Sequence, residues 1–291
     1  MKNNIIHFLY CPFTGLGLHG GYRGDDWLKY RIKIFKAYVL PSLLNQTNKN
    51  FVLWCSWRKE DRENKIVQEF WEYLKYYPIR VIFTYEGIVF WDDKFPNDNL
   101  LERLEKTLPE LKELCDGKDW IFSTVQPSDD FYYSGMVDDM QSVIPEYKMA
   151  IGYQKGYILN LHTKEIAHYN PTTNPPFYTI VFPKDVFLNY KEHYDYIGPY
   201  KSHEFIPEIF KYKKIDKRGF CVGCHGGNIS TVFNHPFKGQ TVGQEILKYF
   251  GVENAPPIET RRSAHLLVRK ILNKLPFNQL IRKIYHKTYG R

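Results

Sequence analysis

Apolar residues along the chain follow two spacings, and their alternation predicts the order of secondary structure. Short apolar runs typical of buried strands occupy residues 4–10, 51–54, 79–85 and 120–125. Between these runs apolar residues recur every three or four positions, which predicts helices over residues 27–43, 61–76 and 100–115. This order predicts an α/β fold in which helices flank an open, mostly parallel sheet.

Two prolines interrupt the helical spacing. Pro41 should bend or end the first helix, and Pro109 should kink the third helix or split it. The reason is that proline has no backbone N–H and its ring collides with the preceding turn.

After about residue 150 the regular alternation of strands and helices ends. Residues 157–161 and 165–169 predict a hairpin, residues 178–182 predict a strand, and Pro183 opens a short helix. Residues 203–213 have the spacing of one more helix, and the glycine-rich stretch 219–227 predicts a loop.

The formal net charge of +8 comes from residues 259–291. Residues 259–291 carry nine Lys or Arg and one acid, Glu259, while the rest carries equal numbers of bases and acids. A nucleic-acid enzyme usually spreads basic residues over its body, so we expect no nucleic-acid partner. We divide the chain into a domain over 1–252 and a hinge with a basic tail over 253–291.

The tail has the pattern of two amphipathic basic helices, separated by Pro276. Such helices suit an anionic membrane surface, and a helix packed on the body with solvated charges is the alternative. The chain shows no signal peptide and no apolar run of about 18–20 residues. Its five cysteines are odd in number and mostly scattered. We therefore expect a cytoplasmic protein that the tail can hold on the membrane face.

Two short motifs match cofactor-binding signatures, but the sequence around each lacks the features that such a site needs. Residues 15–20 match G-x-G-x-x-G, which is typical of dinucleotide binding, but no acid ends the second strand. A flexible loop over the active cleft, residues 13–24, is the favoured interpretation. Residues 221–225 match the haem-attachment pattern C-x-x-C-H. Without an export signal or a second ligand pair, we favour chance cysteines in a loop.

Three acidic motifs are candidates for chemistry. Asp129 and Asp130 follow a predicted strand and could bind a divalent cation, or they could form a plain polar turn. Asp138 and Asp139 fall on a predicted helix and indicate a solvated face. Glu204 could act as a general base, or Ser202 could cap a helix there.

Several segments together resemble a known family. Residues 40–47, followed by 50–54, resemble the first helix and second strand of GT-A glycosyltransferases. Their amino-acid sequence is most similar to that of the rhamnosyltransferase group. Residues 126–130 match the place of that group's metal-binding turn, and 224–228 resemble its "HGxN" stretch. The resemblance covers roughly residues 4–240.

The resemblance implies a GT-A-like (Rossmann-like) fold and a set of site residues. It implies Mg²⁺ or Mn²⁺ on Asp129, Asp130 and His225, although Pro127 replaces the first acid of the D-x-D motif. It also implies a general base, Glu204, beside His203. The expected donor-binding residues are Pro12, Phe13, Thr14, Ser128, Asp129 and Asn228.

We therefore expect a glycosyltransferase, inverting and metal-assisted, that uses a nucleotide-sugar donor. Its acceptor would be a glycan or a lipid-linked molecule. A catalytically inactive GT-A-like glycan-binding or scaffold protein is the first alternative, because one motif acid is missing. A dinucleotide-dependent oxidoreductase is the second.

Overall fold

The computed structural model describes residues 4–14, 24–87, 97–198, 203–228 and 231–259. Its ten strands are β1 Ile5–Pro12, β2 Val52–Ser56, β3 Arg80–Thr84, β4 Trp120–Val125, β5 Phe131–Tyr132, β6 Met149–Asn160, β7 Ile166–Tyr169, β8 Tyr178–Pro183, β9 Lys211–Cys224 and β10 Lys238–Val242. Its α-helices are α1 Asp25–Ile34, α2 Leu40–Leu44, α3 Lys65–Leu74, α4 Asn97–Leu111, α5 Met136–Gln141, α6 Lys184–Leu188, α7 Tyr190–Ile197 and α8 Ile206–Ile209. Short 3-10 turns cover Lys59–Glu63, Lys112–Cys115, His203–Phe205 and Gln244–Phe250.

One mixed sheet organises the described residues, in the strand order β10-β7-β6-β8-β4-β1-β2-β3. β3, β2, β1 and β4 are parallel, as the strand–helix alternation predicts. β8, β6, β7 and β10 continue the sheet with antiparallel pairs. The predicted α/β fold class with helices flanking a sheet is confirmed, and so are the hairpin of β6 with β7 and the strand β8.

The central parallel strands β1 and β2 are buried on both faces, which explains why they read as continuous apolar runs. All eight residues of β1 are buried. Leu9 and Cys11 point to the layer of α1 and α3, whereas Phe8 and Tyr10 point to the layer of α4, α6 and α7.

Pro41 is accommodated by a wide turn. Residues Phe35–Val39 form a π-helical segment, and the N–H of Leu40 donates to the carbonyl of Phe35. The helical path therefore passes Pro41 and ends at Leu44, instead of breaking at the proline. Widening the turn just before a proline relieves the collision of its ring with the preceding carbonyls.

The predicted helix over 203–213 is wrong beyond Ile209, and so is the predicted loop over 219–224. Both stretches contribute to β9, which runs parallel to β6 from the Met149–Lys211 pair to the Asn160–Cys224 pair. Gly219 suits this strand because a Cβ there would lie 2.4 Å from the ring of Tyr153. The glycines thus permit close packing and do not interrupt the strand.

Two buried tryptophans differ in their hydrogen bonding, and this difference predicts unequal mutational costs. The indole N–H of Trp54 donates to the hydroxyl of Thr84 at 2.9 Å, whereas the buried indole nitrogen of Trp57 has no partner in the part of the chain that the structure describes. Trp54→Phe should therefore destabilise the protein by about 2 kcal/mol more than Trp57→Phe, because only the first orphans a buried group. Urea unfolding of both variants measures this, and equal losses would contradict it.

The segment after the last 3-10 turn is fastened to the body. The hydroxyl of Tyr38 donates to the carbonyl of Pro256 at 2.8 Å, and Lys164 donates to the carbonyl of Ala255 at 2.8 Å. The N–H of Ile258 donates to the carbonyl of Leu161 at 2.8 Å. The predicted hinge region thus packs on the body as far as Glu259, and the rest of the tail lies outside the described residues. No helix within the described ranges is long and apolar enough to cross a bilayer.

Candidate active site

The carboxyl ends of β1, β2 and β4 meet at one edge of the sheet, where α/β proteins commonly bind ligands. The turn 126–130 leaves β4 at this edge. The side-chain amide of Gln126 braces the turn, because it donates to the carbonyls of Pro127 and Asp130, each at 2.9 Å. The backbone N–H of Gln126 donates to the carbonyl of Tyr10 at 2.8 Å, which fixes the turn to the central strand.

Asp129 is the centre of a polar cluster at the turn. One of its carboxylate oxygens contacts the guanidinium of Arg31 and accepts hydrogen bonds from His225 Nε2 at 3.0 Å and Asn228 Nδ2 at 3.3 Å. Burial alone would raise the pKa of Asp129, but the charge of Arg31 and the bond from His225 outweigh it and lower the pKa to about 2. Asp129 is therefore an anion at neutral pH.

Asp130 faces the backbone of β9. Its Oδ1 accepts the N–H of Gly223 at 2.9 Å. Burial and the neighbouring charge of Asp129 raise the pKa of Asp130 well above its usual value. A Cβ on Gly223 would lie 2.3 Å from the carbonyl oxygen of Asp129, so the glycine lets the turn approach the strand.

His225 and Asn228 hold each other beside Asp129. The N–H of His225 donates to Asn228 Oδ1 at 2.9 Å, and Asn228 Nδ2 donates to the carbonyl of Gly223 at 2.7 Å. The N–H of Gly227 donates to His225 Nδ1 at 3.3 Å, which assigns the ring proton to Nε2, the atom facing Asp129. Burial lowers the pKa of His225 and keeps the imidazole neutral.

The structure brings some of the predicted site residues together. Asp129, Asp130, His225 and Asn228 share this cluster, and Ser128 is buried in the same turn.

The residues that follow β1 are engaged elsewhere, although Pro12 ends that strand at the same edge. Phe13 stacks on Trp57 with ring centroids 4.6 Å apart, inside the aromatic core. Thr14 donates to a carboxylate oxygen of Asp61 at 2.5 Å. Most of the predicted loop over the cleft, with its G-x-G-x-x-G motif, lies outside the described residues.

Glu204 and His203 make their hydrogen bonds with the loop before β8. The hydroxyl of Thr173 donates to Glu204 at 2.9 Å, and His203 Nδ1 bonds the carbonyl of Asn174 at 2.5 Å. Glu204 itself is exposed. Its predicted role as general base stays a prediction.

The predicted metal ligands give a mixed fit to a divalent cation. Asp129 and His225 lie close together, but Arg31 already compensates the Asp129 carboxylate, and Asp130 turns to the Gly223 N–H. Within the described ranges no three His, Cys, Asp or Glu side chains are grouped as a metal site. Divalent cations favour several uncompensated carboxylates, so this arrangement does not fit a strong site. The metal prediction stays a prediction.

Two functional candidates were missed from the sequence. Arg31 falls on the core-facing side of α1, next to Leu28 and Ile32, and a charged residue on an apolar helical face was the available signal. Asp61 is buried after β2 and binds Arg58 at 2.7 Å, beyond the strand end where an acid was sought.

Two further interpretations can be corrected or refined. Asp138 and Asp139 do not form a solvated face: Asp138 accepts from Thr47 at 2.7 Å, and Asp139 accepts from Tyr153 at 3.0 Å. Cys221 and Cys224 are buried free thiols on β9, not loop residues, and they join different core clusters. Burial raises the pKa of both thiols, which disfavours thiolate chemistry.

The chain is similar to one family model and to several solved structures. A family model described as "Putative rhamnosyl transferase" matches residues 22–63, from the start of α1 to the turn after β2. The chain is similar to S. aureus TarS 1-349, with TM-score 0.38 and 11% identity over 75% of this chain and 60% of that one. The same TarS fragment in complex with UDP gives TM-score 0.38 and 12% identity over 85% and 64%.

A third similar structure is mouse xyloside xylosyltransferase 1, apo form, with TM-score 0.33 and 10% identity over 73% of this chain and 84% of that one. The chain spans 60% and 64% of the two TarS chains. No curated protein matches it.

The described residues form an α/β fold with a polar cluster at the carboxyl edge of its parallel strands. The matched segment contains Arg31 and residues 40–47 and 50–54, which are one part of the resemblance described above. The family-model match over residues 22–63 supports a glycosyltransferase of the rhamnosyltransferase type.

Proposed function

We propose that the protein transfers a sugar from a nucleotide-sugar donor to a glycan or a lipid-linked acceptor. The observation that carries this proposal is the convergence of Asp129, His225 and Asn228 at the carboxyl edge of the parallel strands. This is the edge where an α/β sheet offers a ligand crevice. The donor would bind there, and the tail over 259–291 would hold the enzyme near an anionic membrane surface.

Glu204 is our candidate for the general base. Its exposed carboxylate can accept the proton of an acceptor hydroxyl while that hydroxyl oxygen bonds to the anomeric carbon. The bond between the anomeric carbon and the diphosphate breaks in the same step, and its electron pair leaves with the nucleotide. Direct displacement of this kind inverts the configuration of the sugar.

Two substitutions test the proposal by different readouts. Asp129→Asn should lower the transfer rate by about tenfold or more, since Arg31, His225 and Asn228 all lose the ionised group that fixes them. Glu204→Gln should lower transfer by about a hundredfold or more without changing nucleotide affinity, because only proton removal is lost. The assay follows release of nucleoside diphosphate from UDP-, GDP- and dTDP-sugars in the presence of mixed saccharide acceptors.

The control is Asp216→Asn, whose exposed carboxylate pairs with Lys155 at 3.2 Å on the surface. This variant should keep wild-type transfer. Wild-type rates in both Asp129→Asn and Glu204→Gln would refute the assigned roles. Nucleotide binding without any transfer would favour the inactive binding protein.

A further inference from the structure

Arg31 is a permanent charge enclosed at the candidate donor site. It lies on the buried face of α1, and only 5% of its side chain is exposed. Its guanidinium contacts the carboxylate of Asp129 and lies 5.4 Å from the ring centroid of Trp27. Removing both charges of an ion pair from water costs free energy that their attraction need not repay, so this buried pair has a structural cost that a functional role would explain.

The charges at the turn already balance without a metal. The anionic carboxylate of Asp129 is compensated by Arg31, and the carboxyl of Asp130 is engaged by the Gly223 N–H. Pro127 stands where the resembled family has its first acid. A divalent cation placed here would meet a guanidinium within contact of its main ligand, and like charges at that distance repel.

Among the described residues, two buried atoms at the site have no hydrogen-bond partner. They are Arg31 Nε, a donor, and Gln126 Oε1, an acceptor on the turn itself. Buried polar atoms of this kind are uncommon, and a ligand is one of the groups that can satisfy them. A phosphate oxygen can accept from Arg31 Nε, whereas Gln126 Oε1 needs a donor on the ligand, such as a hydroxyl. Arginine presents five donors in a planar fork that matches phosphate oxygens, so Arg31 can bind Asp129 and a phosphate together.

We propose that Arg31 binds the diphosphate of the donor and stabilises the departing nucleotide in place of a divalent cation. This inference rests on the proposed function. When the glycosidic bond to the diphosphate breaks, the electron pair moves to the diphosphate oxygen, and the guanidinium compensates the growing negative charge. Asp129 then acts as a positioning residue that fixes the orientation of the fork.

The experiment measures nucleotide affinity, independently of the acceptor. The binding of UDP, GDP and dTDP to the protein is measured by calorimetry, once in EDTA and once in Mn²⁺. The nucleotide that binds the wild type most tightly is then used for the variants. Wild-type affinity should differ by less than about twofold between the two buffers, because Arg31 needs no metal. In EDTA, Arg31→Gln should weaken binding by about tenfold or more, since a charge-assisted contact is lost.

Further variants separate ligand binding from a structural ion pair. Arg31→Lys keeps the positive charge but loses the planar set of guanidinium donors. Its nucleotide affinity should therefore lie between those of the wild type and Arg31→Gln. Mn²⁺ should restore part of the affinity of Arg31→Gln, because Asp129 is then free to bind a cation. Asp129→Asn should lose less affinity than Arg31→Gln, since the guanidinium remains.

Arg103→Gln is the matched control. Arg103 lies on α4, and its half-buried guanidinium donates to the carbonyl of Gly87 at 2.7 Å. It should bind the nucleotide like the wild type. Loss of wild-type binding in EDTA, or wild-type affinity in Arg31→Gln, would overturn the role of Arg31 and leave the proposed function intact. If the wild type binds no nucleotide in either buffer, the proposed function itself fails. If Arg31→Gln does not fold, the wild-type comparison and Arg31→Lys decide.

Discussion

When the pH falls from 7 to 4.5, His7 and His193 should together lower the free energy of unfolding by about 5 kcal/mol. Each histidine contributes about 1.4 kcal/mol per pH unit while the unfolded chain binds a proton that the folded chain does not. His7 is fully buried and bonds the hydroxyl of Thr124 at 2.6 Å, and burial lowers its pKa to about 3. His193 is buried too, and its Nδ1 donates to the carbonyl of Phe187 at 2.8 Å. Burial lowers the pKa of His193 to about 4.

The sign follows from proton uptake on unfolding. Above pH 6.5 both histidines are neutral in the folded and the unfolded chain, so their stabilising contribution is complete. As the pH falls below 6.5, the unfolded chain binds protons that the folded chain cannot accept until pH 4 or 3. Stability is therefore lost over this window. The raised pKa of Asp130 acts in the opposite direction, so the test compares variants and not the wild type alone.

Urea unfolding of the wild type and of His7→Asn/His193→Asn at both pH values measures this contribution. The double variant should start less stable at pH 7, because it loses two buried contacts, but its stability should fall by about 5 kcal/mol less on acidification. His162→Gln, at an exposed histidine, is the control for the substitution of a histidine on the surface. Parallel profiles for the wild type and the double variant would contradict the prediction.

The parallel half of the fold could be predicted because its signals are local. β1 and β4 are buried on both faces and therefore read as continuous apolar runs, and Leu104 and Leu108 keep a helical period against one face. β9 could not be predicted in this way. Its exposed lysines and its glycines resemble a helix followed by a loop, and only pairing with β6, some sixty residues earlier, makes them a strand.

The candidate site was predicted in part for the same reason. Asp129 and Asp130 could be found because they follow a strand at the edge where ligands bind, and His225 through the family resemblance. The partner of Asp129 could not be found by motif, because Arg31 lies on a different element and contacts the turn only through the tertiary fold. The different directions of the two adjacent carboxylates also depend on where β9 passes.

Gly223→Ala should disrupt the candidate site more than its small size suggests. The added Cβ would lie 2.3 Å from the carbonyl oxygen of Asp129, and a backbone atom cannot rotate away as a side chain can. Either β9 or the turn 126–130 must shift, although the Gly223 N–H and carbonyl bond Asp130 and Asn228. We expect a loss of about 2 kcal/mol in stability from overpacking, and at least about a tenfold loss in nucleotide affinity from the displaced turn.

Gly156→Ala separates the two effects, because it places a comparable collision away from the turn. Its Cβ would lie 2.6 Å from the carbonyl oxygen of Phe220 and 2.4 Å from the ring of that residue. Both variants should melt earlier than the wild type, since both force backbone against backbone. Measured by calorimetry at a temperature where both are folded, only Gly223→Ala should bind nucleotide weakly. Equal affinity in the two variants would show that the approach of β9 to Asp129 serves the sheet and not the site.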